Sequence, residues 1–354
     1  MTLRIFIILC VVTLPDWLSA ADSRGPTDSV IVDAQTERVI RGGLKYLAAH
    51  QAPSGAFEGE SEQERRHPVA MTAYTLMAFQ AAGNLPGEGE FGKQVRAGLQ
   101  YLLDSIQADG IIGDRENQKY MYSHGVATIA LAELYGQTKS PVIRTKLERA
   151  VNVIVGSQND DRNDFDFGGW RYRPMSYDAD ISVTVLQVVA LRGAKNAGLD
   201  VPQKTIDNAV VYIKRCHEPA GGGFVYRPQD RYKGPGFART AAAIYSLQVC
   251  GLYEDPMVKR GADYLLANLK DRYWYTYGNF YAAPALYMVG GEAWKTYYTY
   301  TKSFLLQNMR QRGDAVYWEP NLDRARGNEG PLYNTAVYTK ILAMPYHYIP
   351  LYQR

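Results

Sequence analysis

Two kinds of apolar pattern alternate along the chain. One spaces its hydrophobic residues at i, i+3, i+4 and i+7, as in Ile206, Ala209, Val210 and Ile213, with charges on the other face. Such a stretch is an amphipathic helix with one buried stripe. The other is apolar nearly all round, as in Val183, Val185, Leu186, Val188, Val189, Ala190 and Leu191. A helix of that kind is packed on several sides. The two kinds recur in fixed order at intervals of roughly 40 to 60 residues, the spacing of stacked helical repeats. The pattern predicts outer helices over 40–51, 95–103, 147–158, 206–216, 261–266 and 303–307. Inner helices are predicted over 69–77, 124–131, 181–191, 240–250, 280–288 and 333–342. The fold class is therefore all-α, with six helical hairpins in two layers.

The turns between the layers share a chemistry. Ser54-Gly55 precedes Phe57, Asp109-Gly110 stands at the second turn, Gly168-Gly169 precedes Trp170, and Gly221-Gly222-Gly223 precedes Phe224. Glycine gives the backbone its freedom where the loop turns back, and the aromatic pins the loop onto the helix pair. Periodicity alone does not choose between an open superhelix and a closed ring.

Arg4, the apolar run 5–14 and the small residues Ser19-Ala20-Ala21 have the form of an export signal over 1–21. The expected mature chain is periplasmic or extracellular, with 30–354 as one repeat domain. No second long apolar run follows, so no stable transmembrane segment is expected after cleavage. A formal net charge of +3 spread over 354 residues carries no footprint for nucleic acid. Cys216 and Cys250 end successive helices. If these are antiparallel, the thiols lie at opposite ends and stay unpaired.

Candidate chemistry gathers where inner helices begin. Asp178 and Asp180 precede Ile181-Ser182-Val183-Thr184. An aspartate there either caps the helix or serves as a buried acid. Arg171 and Arg173 flank Tyr172, Arg227 follows Tyr226, and Arg239 opens the next inner helix. With Trp170, Trp274 and Trp318, these residues suit an anionic or sugar-like ligand held by charge and ring stacking. The same residues also suit fastening loops to helices. The aromatics from Tyr273 to Tyr300 fit a cavity lining, an interface, or simple filling of the centre. The histidines are scattered over different units and form no motif.

Gln158, Gly168-Gly169-Trp170 and the segment from Asp178 to Thr184 resemble the repeat of squalene–hopene cyclases and protein prenyltransferase beta subunits. The resemblance covers almost the whole mature chain. It implies closure as an α/α toroid, with parallel inner helices around a cavity. It aligns Asp178 and Asp180 with the first two acids of the cyclase motif Asp-x-Asp-Asp-Thr, which places Asp180 on the proton donor. Ile181 stands in place of the next acid and Ser182 in place of threonine. The prenyltransferase zinc set needs Asp, Cys and His. No His stands near Arg239-Thr240 or Asn334-Thr335, so no metal or cofactor is expected. The thioester motif Gly-Cys-Gly-Glu-Gln of the complement relatives is absent. These features lead to an exported toroid used for binding or as a scaffold. The alternatives are an isoprenoid cyclase-like enzyme with Asp180 as acid, and a glycan-binding or polysaccharide-cleaving protein. The partner is accordingly an isoprenoid, a glycan or another protein.

Overall fold

The helices are, in chain order, α1 (Ala34–Ala49), α2 (Glu62–Arg65), α3 (Pro68–Ala81), α4 (Gly92–Asp104), α5 (Met121–Thr138), α6 (Pro141–Gly156), α7 (Ile181–Asn196), α8 (Gln203–Arg215), α9 (Phe237–Val249), α10 (Pro256–Ala267), α11 (Tyr275–Val289), α12 (Gly291–Asn308) and α13 (Pro331–Ala343). They come from a computed structural model that describes residues 30–348 except 114, 116–117 and 326–329. The export signal expected over 1–21 lies outside the described residues. The helices α3, α5, α7, α9, α11 and α13 are buried almost along their whole length. The amphipathic helices α1, α4, α6, α8, α10 and α12 cover them from outside.

Several helices begin earlier than periodicity suggests, for local reasons. Proline at the first helical position starts α3, α6, α10 and α13, where its missing N–H has no partner to lose. Helix α12 begins at Gly291, well before the predicted 303–307. Its buried stripe is Trp294, Tyr297, Tyr298, Thr301 and Leu305, a helical spacing carried by aromatics rather than aliphatics. The long loop expected around Trp318 holds a short antiparallel hairpin, β1 (Arg310–Arg312) and β2 (Ala315–Tyr317). That hairpin packs on α1, where Tyr317 stacks on Tyr46 at 5.0 Å.

Each inner helix packs on the next, and α13 packs on α3, which closes the array into a ring. The inner helices run in one direction. First turns meet first turns, as in Tyr122 with Ser182 at 2.6 Å and Thr276 with Asn334 at 2.9 Å. Last turns meet last turns: Arg192 donates to the Val249 carbonyl at 2.7 Å and Gln248 to that of Ala285 at 3.0 Å. Each inner helix also packs on the outer helix that follows it, while α13 takes α1. The tight hairpins are therefore inner-to-outer, one step out of phase with the units that the turn chemistry suggested. The sixth pair joins the first and last long helices. Lys302–Asp33 at 2.9 Å, Lys45–Asp314 at 3.0 Å and a Tyr333 N–H donated to Glu64 at 2.9 Å cross the same seam.

The repeated loops are held by a repeated bond. The backbone N–H of Phe57, Trp170, Phe224 and Trp318 donates to Thr72, Thr184, Thr240 and Thr335 respectively. In the second unit His124 replaces threonine and accepts from Ile112 at 3.1 Å. Gln158 donates to the carbonyls of Gly168 and Thr205, both at 2.9 Å, and so ties its loop to α8. Gln51 does the same for α4. Gly168 has φ +88, and its α-carbon lies so close to α8 that a Cβ would meet the Asn208 carbonyl oxygen at 2.0 Å. Cys216 and Cys250 are both free thiols.

Candidate functional site

The long outer-to-inner loops and the first turns of all six inner helices gather at one end of the ring, which forms its mouth. Six parallel helix N-termini make that end electropositive through their dipoles. The loop 157–180 supplies the richest chemistry. Trp170 is buried, its indole N–H donating to the Ile154 carbonyl at 2.8 Å. That anchor presents Arg171 above the first turn of α7. Asp180 caps α7 by accepting from the Val183 N–H at 2.9 Å, and its own N–H closes back on the Trp170 carbonyl at 3.1 Å.

Arg171 is the hub of the cluster. It pairs with Asp180, lies 3.2 Å from Asp178, donates to Tyr226 at 3.0 Å and stacks on Tyr172 at 4.1 Å. The Tyr172 and Tyr226 hydroxyls meet at 2.9 Å, and Arg227 reaches Asp178 at 3.7 Å. Ser182 donates to Asp180 at 2.5 Å and contacts the Tyr122 hydroxyl at 2.6 Å. Because Ser182 spends its proton on the carboxylate, Tyr122 is the donor in that second bond. Tyr277 donates to the Ser182 carbonyl at 3.1 Å. Asp180 is fully buried, and Arg171, Ser182 and Val183 all donate to it. It is an acceptor at each of these contacts, as a carboxylate capping α7 is.

The structure thus brings Asp178, Asp180, Arg171, Tyr172 and Tyr226 into one network. Arg173 stands at its edge, exposed, donating to Gln118 at 2.9 Å. Arg239 belongs to a different part of the rim. Burial lowers its pKa, opposed by Tyr264 and the charges of Asp230 and Asp271. Trp274 is half-buried in a left-handed backbone conformation, with its N–H on Asp323 at 3.0 Å. Trp318, like Trp170, is buried, and its indole donates to the Leu305 carbonyl at 2.9 Å. Both indoles act as loop pins and present no face at the mouth. Among the described residues no group of three or more His, Cys, Asp or Glu side chains is placed to hold a metal ion. No described helix is long and apolar enough to cross a membrane.

The sequence marks neither Tyr122 nor Ser182 as a ligand-binding residue, and it offers Tyr277 only among the aromatics that fit a cavity lining, an interface or filling of the centre. The signal for the first two was the repeat itself. Tyr122 stands two residues before His124 and Ser182 two before Thr184, the same register relative to the loop-holding side chain.

Below the mouth, aromatic side chains of α3, α11 and α13 pack against one another. Tyr74 packs on Phe280 at 5.1 Å and on Tyr333 at 4.8 Å, while Tyr281 packs on Phe280 at 4.9 Å and on Tyr277 at 5.1 Å. Lys340 projects from α13 among these rings, with its ammonium 3.6 Å from the centroid of Phe280. Burial pushes Lys340 down to about 7, with Glu133 opposing the shift.

No family model and no curated protein matches the chain. Solved structures do resemble it. An alpha-1,6-mannanase from Salegentibacter superposes with a TM-score of 0.64 at 8% identity, over 88% of this chain and 98% of that one. Cellobiose 2-epimerase from Bacillus thermoamylovorans gives 0.59 at 13% identity, over 86% and 97%. A type II terpene cyclase from Scytonema gives 0.55 at 13% identity, over 89% and 99%. At such identities the likeness is one of fold. The chain has the α/α toroid of helical hairpins that glycan-active enzymes and a terpene cyclase share.

Proposed function

We propose that this protein binds a glycan at the mouth of its ring. The observation that carries the reading is the hydroxyl, guanidinium and ring-face cluster of Tyr122, Arg171, Tyr172, Ser182, Tyr226 and Tyr277 over packed aromatic rings. Sugar hydroxyls exchange hydrogen bonds with such groups, and sugar C–H faces stack on such rings. Similar folds serve this chemistry elsewhere: a mannanase variant, inactive with two adjacent aspartates replaced, was solved with alpha-1,6-mannotriose. The isoprenoid alternative asks for an apolar cavity and a carboxylic acid with a proton to give. Asp180 is instead a cap with donors on it, and tyrosines pack together below the mouth. Glycoside hydrolysis asks for two carboxylates at a defined separation, one of them protonated. Asp178 and Asp180 both engage Arg171, which supports binding rather than cleavage.

Export belongs to the same proposal, since extracellular glycans are then within reach. Recovery of the full-length chain, still carrying 1–21, from the cytoplasm would sink that part. The binding test is calorimetric titration with alpha-1,6-mannotriose, cellobiose and an acidic oligosaccharide. Removing one hydroxyl by Tyr122→Phe or Tyr226→Phe should weaken the best ligand about five- to tenfold, the worth of roughly one hydrogen bond. If no saccharide binds, or if Asp180→Asn abolishes turnover of an isoprenoid, the glycan reading fails.

A further inference from the structure

Beside the Arg171 cluster the mouth opens into a cleft of about 880 Å3, set between the first turns of α3 and α5 and the last turn of α4. Arg65, Arg66 and His67 line one wall, and Gln118, Lys119 and Ser123 the other. None of the described lining residues is a carboxylate. Arg66 also pairs with Glu62, and Arg65 donates to the Glu60 carbonyl, yet neither acidic residue lines the cleft. The charged side chains among the described lining residues, Arg65, Arg66 and Lys119, are all cationic. His67 registers them: burial first, then the charges of Arg66 and Lys119, lower its pKa. Helices α3 and α5 begin at this wall without a side-chain cap, so their dipoles add to the same sign.

Two contacts join the cleft to the mouth. The Lys119 ammonium lies 5.2 Å from the centroid of Tyr172, which is the ring that Arg171 stacks on. Gln118 accepts from Arg173 at 2.9 Å. A chain of sugars lying on Tyr172 and Tyr226 therefore continues over Lys119 into a basic cleft of ligand-sized volume.

We propose that this cleft takes the anionic substituents, carboxylate or sulfate ester, of an acidic glycan whose rings lie on the Arg171–Tyr172 mouth. The assignment rests on the glycan reading of the mouth and narrows its substrate class. Guanidinium and ammonium groups bind carboxylate and sulfate oxygens by charge-assisted hydrogen bonds, and a ring of hydroxyls alone offers them nothing comparable.

The experiment titrates the full chain with matched pairs, oligogalacturonate against its methyl ester and sulfated against plain dextran oligosaccharide. The two pairs distinguish carboxylate from sulfate as the group preferred. The expected result is binding of one charged member about tenfold tighter than its neutral partner, a margin that shrinks with added salt. The double variant Arg65→Gln/Arg66→Gln should lose that margin and keep the affinity for the neutral partner, with an unchanged melting curve. The His67 titration followed by NMR should move upward with the charged ligand and stay put with the neutral one. Equal binding of both members of each pair, or a double variant that keeps the margin, overturns the cleft and leaves the mouth standing. Binding of no saccharide at all overturns both.

Discussion

His124 occupies the place that threonine holds in four other units, and it does two jobs there. Nδ1 accepts the Ile112 N–H, which leaves the Nε2 proton for the Ala150 carbonyl at 3.1 Å. The ring is fully buried, and burial pushes its pKa down to about 4. An unfolded chain takes up the imidazole proton near pH 6.5. The folded pKa is the lower one, so the stability is complete above pH 6.5 and drains away as the pH falls toward 4. The loss amounts to about 3 kcal/mol. Replacement by the repeat's own residue, His124→Thr, keeps an acceptor for Ile112 and removes the titration. Melting temperatures at pH 7 and 4.5 should then differ less than in the parent, at a cost of about 1 to 2 kcal/mol at neutral pH for the lost Ala150 bond. An unchanged slope between those pH values would show that His124 does not govern acid sensitivity.

At the scale of elements, the loops carry more positional information than the helices. Each helix tolerates some shift of its ends, while the Gly168 turn is wedged against α8 by its left-handed φ and the Asn208 carbonyl. Gly198, between α7 and α8, is the natural comparison: it has φ +99 and nothing within 4 Å of a would-be Cβ. Gly198→Ala should cost only the conformational strain, about 1 to 2 kcal/mol. Gly168→Ala adds a clash with backbone that cannot rotate away, for a total of roughly 2 to 4 kcal/mol. Chemical denaturation of the two variants separates these contributions. Equal losses would mean that the loop can lift off α8, and that the stacking of loop on next outer helix is not what sets the repeat.

For the whole molecule, closure turns the inner helices into a shared core, and the charge at its centre matters to all of them. Lys340 is pushed down from its ordinary 10.5 to about 7. Between those values the unfolded chain holds a proton that the folded ring does not, so stability rises as the pH goes from 7 toward 10. Lys340→Met should flatten that rise, as read from melting temperatures at pH 7 and 9. The same slope in the variant would assign the pH response to another group. The glycan proposed above would meet the ring at the mouth, where the helix dipoles, Arg171 and the basic cleft lie, above the packed rings of Tyr74, Phe280, Tyr281 and Tyr333.

Six hairpins, their two layers and their loop chemistry were legible in the residues, because helical periodicity and glycine–aromatic turns are local properties of the chain. So was the gathering of Arg171, Tyr172, Asp178 and Asp180, which lie within one loop. Three matters were decided only by the tertiary structure. Ring closure, which the family resemblance implied but periodicity did not, and the pairing of α13 with α1, which neither gave, depend on contacts hundreds of residues apart to which no local pattern responds. The direction of each aromatic is equally non-local: Trp170 and Trp318 turn into the core, while Tyr122 and Tyr277 come to Ser182 from other helices. The part played by Asp180 follows from what surrounds it. The same two acids read as a cyclase motif along the chain, and in space one of them caps a helix and holds the arginine on which the mouth is built.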